Sequence, residues 1–381
     1  MKLHSITYTE YEDKEFAWKI DAIDFININL IVGKNSTGKS RVLRVVDGLA
    51  RLLEGVRQPN GMITGDYVAV FKDSNSELIY SFQISDMKVV KESLVLDGVK
   101  KMNRGKGGKT SIWFEQQDLS IDVQIPEVHL AASARRDPDQ HPFFEPLHEW
   151  AKTVKYFEFS RLESHALTAF EGKVASEVVE TGPLNLHLII KFSKERWGRD
   201  FLRPVIDDMA RIGYKITDFG LAPQKGMNLP LAMTNAPQAV YLVEVGVPKR
   251  LMQHEISNGM LRALATLIFL HYIRLLKKGG ILLIDDIGEG LDFERATKLL
   301  KILIEEAERG FIQLIMTTND RFVMNEVPLS YWSVIQRTAG MVKVFNQRNH
   351  PVEFSEFEQY GFNNFDFFAK EFYAKGMKID K

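Results

Sequence analysis

The chain has 381 residues, of which 45% are hydrophobic and 26% charged, the composition of a folded globular protein. Its 49 lysines and arginines balance 50 acidic residues, so no global basic charge marks a nucleic-acid binder, although a local basic face stays open. Cysteine is absent, which excludes disulfides and thiolate metal sites and fits a reducing, cytoplasmic setting.

The nine histidines show no paired metal-binding spacing. Met1 to Ser5 is not a signal peptide, because no apolar stretch follows the charge. In chain order, Ile6–Thr9 and Phe16–Ile20 flank acidic turn residues and predict a β-hairpin. The apolar run Phe25 to Val32 predicts a strand, and Arg41 to Leu53 predicts a helix. Between 66 and 130, the runs at 67–71, 78–82, 94–96, 112–114 and 121–125 predict antiparallel strands, with a further strand over Val128–Ala132. Residues 138–214 have helix-like spacing and predict a helical insertion. From 239 the pattern alternates: strand 239–245, helix 258–277, strand 280–285, helix 293–309, strand 311–317. That order predicts parallel strands with helices on the faces. The apolar stretch Leu261–Leu276 is too short and too charged for a bilayer span, and no membrane association is expected. No heptad run predicts a long coiled coil. The expected division is an N-terminal lobe over 1–137, a helical insertion over 138–238 and a C-terminal lobe over 239–381.

Between the predicted strand and helix lies Gly33-Lys34-Asn35-Ser36-Thr37-Gly38-Lys39-Ser40, a full phosphate-loop pattern in the strand–loop–helix context it requires. Its glycines let backbone N–H groups converge on an anion, and the helix N-terminus adds partial positive charge. Lys39 would reach the outer phosphates of ATP, and the Ser40 hydroxyl would ligate Mg²⁺. Arg41, the next residue, is counted with this site. A chance glycine-rich turn is the bland alternative. The strand Ile281–Ile284 ends in Asp285 and Asp286, acids at the C-terminal edge of a buried strand. Asp285 would hold Mg²⁺ through its water shell, and Asp286 would polarise the attacking water. Alone, the pair could equally be a turn-forming strand end. Ser257 can cap the helix that follows it, and Gly259 lets the first turn approach a ligand. An N-cap and nothing more is the alternative there.

In this order, the phosphate loop with Asn35, Ile256-Ser257-Asn258-Gly259-Met260, the Asp285-Asp286 strand end and Gly290-Leu291-Asp292 resemble the ABC-type ATPases of the SMC-like, OLD-like and RecF-like branch. These are the "AAA family" ATPases of bacterial anti-phage defence systems. The resemblance covers roughly 1–55 and 239–335. It implies an α/β P-loop NTPase, an ABC-type head with an antiparallel β lobe and a helical insertion. It implies two heads sandwiching two nucleotides, Ser257, Asn258 and Gly259 of one head meeting the nucleotide on the other. Asn319, in Thr317-Thr318-Asn319-Asp320, falls where the family places its switch residue. Three departures stand out. Asp286 replaces the catalytic glutamate, with Glu289 as a substitute candidate. Asn319 replaces the switch histidine and cannot exchange a proton near neutral pH. Asn258 replaces the first signature glycine. Binding and dimerisation are expected, with slow hydrolysis.

The resemblance implies an ATP-hydrolysing switch, a homodimer or higher homo-oligomer, controlling a separate effector such as a nuclease or toxin. A nucleotide-gated scaffold and a RecF-like repair ATPase are the alternatives. Two basic stretches keep nucleic acid open. Lys100, Lys101, Arg104, Lys106 and Lys109 could grip phosphates or form a solvated loop. Lys191, Lys194, Arg196, Arg199 and Arg203 interleave with aromatics, which suits nucleic acid or an amphipathic helix. Arg135 and Arg136 could approach a phosphate, and Gln124 is one option for the family's lid glutamine. The aromatics from Phe354 to Tyr373 are expected mostly to cover the core, an exposed part serving as a docking patch.

Overall fold

The computed structural model describes residues 1–12, 14–59, 65–157, 186–223, 238–277 and 279–376. The chain divides into two compact units, Met1–Val154 with Gln313–Lys381, and Lys155–Ile312.

The first part of unit 1 opens with β1 (Lys2–Glu10), β2 (Trp18–Asp24) and β3 (Ile28–Val32), then α1 (Lys39–Glu54). The expected hairpin is present: β1 and β2 pair antiparallel, Tyr8 opposite Ile20. Every residue of β3 is buried, as its unbroken apolar run requires. Its one polar member, Asn29, donates to the carbonyls of Ile26 and Leu314 and accepts from Ile26 N–H, so no polar group is stranded.

An antiparallel meander follows: β4 (Gly65–Lys72), β5 (Glu77–Ser85), β6 (Lys88–Leu96), β7 (Val99–Arg104), β8 (Lys109–Phe114) and β9 (Leu119–Gln124). The strand β7 corrects the expected Lys100–Lys109 loop. Arg104 is not available to a phosphate backbone. Its guanidinium is fully buried, pairs with Glu92 at 3.1 Å and donates to the carbonyls of Ile125, Pro126 and His129. Lys101 lies over the Trp113 ring and pairs with Glu115. Met102 between them is buried, giving the alternation of a half-covered strand, and the glycines only make the β7–β8 turn. Val128–Ala132 is also not a strand. Arg104 ties down the His129 carbonyl in that segment, and Ala131 starts a short helix, α2 (Ala131–Ala134). After it, Arg136 is spent on Glu145 at the start of α3 (Glu145–Thr153).

Unit 2 takes up the chain in β10 (Val154–Phe157), then α4 (Leu186–Trp197), α5 (Arg199–Arg211), β11 (Ile216–Pro223), β12 (Gln238–Glu244) and β13 (Leu251–Met252). It ends with α6 (Asn258–Leu276), β14 (Gly280–Ile284) and α7 (Phe293–Glu308). The helical expectation for 138–214 thus holds at α3, α4 and α5 but is corrected at Val154–Phe157, which is the strand β10, while 158–185 lie outside the described residues. Strand β12 corrects the parallel reading. It pairs antiparallel with β11 and β13 in a separate three-stranded sheet. A continuous apolar run such as Ala239–Val243 signals a buried strand but carries no information on direction. The basic and aromatic residues of α4 and α5 form an amphipathic pair. Phe192 and Phe201 are buried, Lys194 donates to Phe219 O, and Arg196 packs over Phe192 and Trp197. Helix α6 is apolar on all sides, with 78% of its most apolar window buried. Long and apolar enough to cross a membrane by composition, it is here a core helix.

The chain returns to unit 1 in β15 (Ile312–Thr317), α8 (Arg321–Glu326), β16 (Trp332–Thr338), β17 (Met341–Asn346), α9 (Pro351–Gln359), α10 (Asn364–Ala369) and α11 (Phe372–Lys375). Strands β15 and β16 flank β3, both parallel to it. Within this unit the strand order is β15-β3-β16-β17-β2-β1-β4-β5-β6-β7-β8-β9. Phe354, Phe357, Phe367 and Tyr373 are buried as expected, whereas Tyr360 and Phe362 are exposed.

Candidate nucleotide site

In unit 1 the loop between β3 and α1 has the local geometry of an anion cradle. Gly33 and Lys39 are buried, and Lys34, Asn35 and Ser36 are exposed. Gly38 takes φ 108°, a conformation that L side chains rarely adopt, and so turns the chain into α1. Thr37 Oγ1 donates to Lys34 O at 2.8 Å and cross-braces the turn. Lys39 Nζ donates to Gly33 O at 2.8 Å and Lys34 O at 3.3 Å, so the ammonium points back over the loop. Helix α1 starts without a side-chain cap and without an acidic residue in its first turn. Its leading N–H groups and positive dipole end therefore face the loop, with Ser40 in that first turn. Main-chain donors and the Lys39 ammonium, with no acid in the first turn of the helix, fit a polyphosphate. Arg41 is held elsewhere: its guanidinium lies 4.4 Å from the centre of the Trp18 ring and pairs with Glu10.

The parallel pairing of β15 with β3 sets Thr317 opposite Ile31. Thr317 to Asp320 therefore leave the sheet at the same end as the phosphate loop. Asn319 is exposed there, while Asp320 caps α8 through the N–H groups of Phe322 and Val323. Gln124 lies on β9, the far end of this unit's strand order, with its amide donated to Gly107 O.

Unit 2 holds the remaining candidates. Ser257 caps α6 by accepting from Met260 N at 3.3 Å. Ser257 and Asn258 are exposed, and Gly259 is buried against the loop that follows Asp286. A Cβ on Gly259 would lie 2.1 Å from Gly290 O, so only glycine permits this approach. Arg262, one turn on, donates to Glu289 O at 2.7 Å and pairs with the Glu289 carboxylate at 3.1 Å. The exposed helix start and the post-strand loop are thereby one packed piece. At the end of β14, Asp285 accepts from Tyr156 Oη at 3.3 Å, and its N–H donates to Phe157 O. Asp286 sits in the left-handed region at φ 54°. Asp292 closes the loop by capping α7 through Arg295 N–H, and its carboxyl is held below the usual aspartate range chiefly by that bond.

A family profile described as "AAA domain, putative AbiEii toxin, Type IV TA system" matches residues 28–325, from β3 to α8. The chain belongs to this AAA-domain family. Its match takes in the phosphate loop, the Ser257 turn and the Asp285-Asp286 strand end. No curated protein sequence matches the chain. Among solved structures, "Crystal structure of the SmcHead bound to the C-winged helix domain of ScpA" aligns with a TM-score of 0.52 at 13% identity. It covers 90% of this chain and 97% of that one. A second head, bound to the C-terminal domain of ScpA derived from Pyrococcus furiosus, gives a TM-score of 0.43 at 14% identity. It covers 94% of this chain and 99% of that one, and that score is too low to bear on the fold. The fold is therefore the mixed α/β fold of an SMC-head P-loop ATPase domain, and its family is one of nucleotide-binding ATPases.

Proposed function

We propose that the protein is an ATP-binding and ATP-hydrolysing switch that dimerises around nucleotide and controls a separate effector, a nuclease or toxin, in bacterial anti-phage defence. The observation that carries the nucleotide part is the loop Gly33–Ser40, with its left-handed Gly38, buried Lys39 and uncapped α1 start. Lys39 would hold the outer phosphates. Ser40 and Asp285, a hydroxyl and a carboxylate, are the hard oxygen donors that suit Mg²⁺. When bound, the cation would screen phosphate charge as the terminal bond breaks. Asp286 would orient the attacking water, and Asn319 would donate a hydrogen bond to the terminal phosphate. Exposure of Ser257 and Asn258, on a turn anchored by the buried Gly259, supports contact with nucleotide on a second copy. Closure would then depend on the triphosphate and relax after its cleavage, a switch by differential binding. The neighbour whose title names a bound winged-helix domain supports a partner protein for this head as well.

A second reading, a nucleotide-gated scaffold with little turnover, is favoured by Asp286 and Asn319 at the positions where the resemblance places a glutamate and a histidine. Steady-state phosphate release separates the two. The switch requires wild-type release well above that of Asp286→Ala, and equal background release by both would leave only the scaffold. A RecF-like DNA clamp would require duplex binding that strengthens with ATP and weakens with salt.

A further inference from the structure

The phosphate loop is tethered from outside by the C-terminal helices of its own unit. Lys34, the loop's second residue, donates to Glu371 Oε1 at 2.8 Å. Glu371 sits between α10 and α11 at φ 57°, and also receives Lys375 at 2.5 Å. The two ammonium groups, Lys34 first, hold its carboxyl down to about 2. A second tie comes from the β16–β17 turn. Arg337 Nη1 lies 3.5 Å from Ser36 O, while its Nε donates to Ala339 O at 2.7 Å. Ser36 is itself left-handed, at φ 63°. Between the ties is a cleft of about 400 Å³, lined by Lys34, Ser36, Thr37, Arg337 and Tyr373 among others. Tyr373 belongs to the aromatic cluster of Phe345, Phe367 and Phe368, so Glu371 is carried on packed structure.

We propose that Glu371 is a latch on the phosphate loop, a positioning residue that competes with the nucleotide polyphosphate for Lys34. The inference rests on the nucleotide-binding reading above. A carboxylate and a polyphosphate are both anions, and one ammonium cannot be fully committed to each. Binding of the triphosphate draws Lys34 from Glu371 and loosens the hold of α10 and α11 on the loop. Occupancy of the site is thereby transmitted to the C-terminal helices, and removal of the Glu371 charge tightens nucleotide binding.

Three measurements on the full chain test this. In calorimetric titration with Mg²⁺ and the β,γ-imido analogue of ATP, Glu371→Gln is expected to bind about three- to five-fold tighter than wild type, the scale of an exposed ion pair. In a Lys34→Ala background the same substitution is expected to change nothing. A carbodiimide, which joins a salt-bridged lysine and glutamate as an amide with loss of water, should link Lys34 to Glu371 in the free protein, and saturating analogue should suppress that peptide in the mass spectrum. Unchanged affinity of Glu371→Gln would overturn the latch while leaving wild-type nucleotide binding intact. So would a gain that persists without Lys34, or a cross-link indifferent to nucleotide. Loss of all nucleotide binding in the wild type would instead refute the nucleotide site, and the latch with it.

Discussion

Gly259→Ala tests whether the start of α6 and the loop after Asp286 act as one piece. The added methyl carbon would sit 2.1 Å from Gly290 O, 3.0 Å from Gly290 C and 3.2 Å from Leu291 Cδ2. The nearest obstacle is backbone, so no side-chain rotation relieves it. One side must move by about an ångström, the sort of overpacking that costs about 1–3 kcal/mol. Moving the loop also pulls Glu289 O from Arg262, a 2.7 Å bond to a charged donor worth about 1.5–3 kcal/mol when intact. Because the strain and the lost bond share one displacement, they overlap rather than add, and the expected destabilisation is about 2–3 kcal/mol. Urea unfolding followed by circular dichroism measures it, with analogue-driven dimerisation measured in parallel. The variant should still fold and still bind nucleotide through Gly33–Ser40, but dimerise poorly. Wild-type stability together with wild-type dimerisation would refute the coupling of these two segments.

Lys39→Ala removes the buried ammonium over the phosphate loop, and a charge-assisted contact of about 1.5–3 kcal/mol predicts at least a ten-fold loss of ATP affinity by calorimetry. Glu92→Ala strips Arg104, Tyr80 Oη and Ala131 N–H of their shared buried acceptor. Breaking such a pair costs about 3–5 kcal/mol, seen as a lower urea midpoint. Asp208, on α5, is pushed up by burial, but hydrogen bonds from His271 and Arg211 outweigh this and leave its carboxyl below the ordinary 3.8. A depressed folded value stabilises fully above the unfolded one and is lost as pH falls through the folded one. Denaturant midpoints taken between about pH 6 and about pH 3 should therefore fall less steeply in Asp208→Asn than in wild type.

Local patterns were legible where one residue type answers to one geometry. The phosphate loop could be read because glycine, lysine and serine at that spacing serve a strand–loop–helix turn, and β3, α1 and Gly38 bear out that local context. The strand Ile281–Ile284 and the Ser257 cap were equally plain, since burial and capping are local. What failed was long-range. Arg104 looked like a solvated cation because Glu92, its buried partner, is twelve residues away and one strand over. Strand β12 carried no mark of direction. Glu371 carried no signal at all, because its partner Lys34 is 337 positions earlier and an isolated glutamate among aromatics has no diagnostic spacing.

The central claim is that nucleotide is shared between two copies, held by Gly33–Ser40 of one and the Ser257 turn of the other. Sedimentation velocity with Mg²⁺ and the β,γ-imido analogue tests it most directly, with wild type beside Ser257→Arg. The wild type should shift from monomer to dimer on adding analogue, while Ser257→Arg binds the analogue with unchanged affinity per chain in its monomeric form and does not shift. A wild type that stays monomeric with analogue bound, or a Ser257→Arg variant that dimerises as the wild type does, would contradict it.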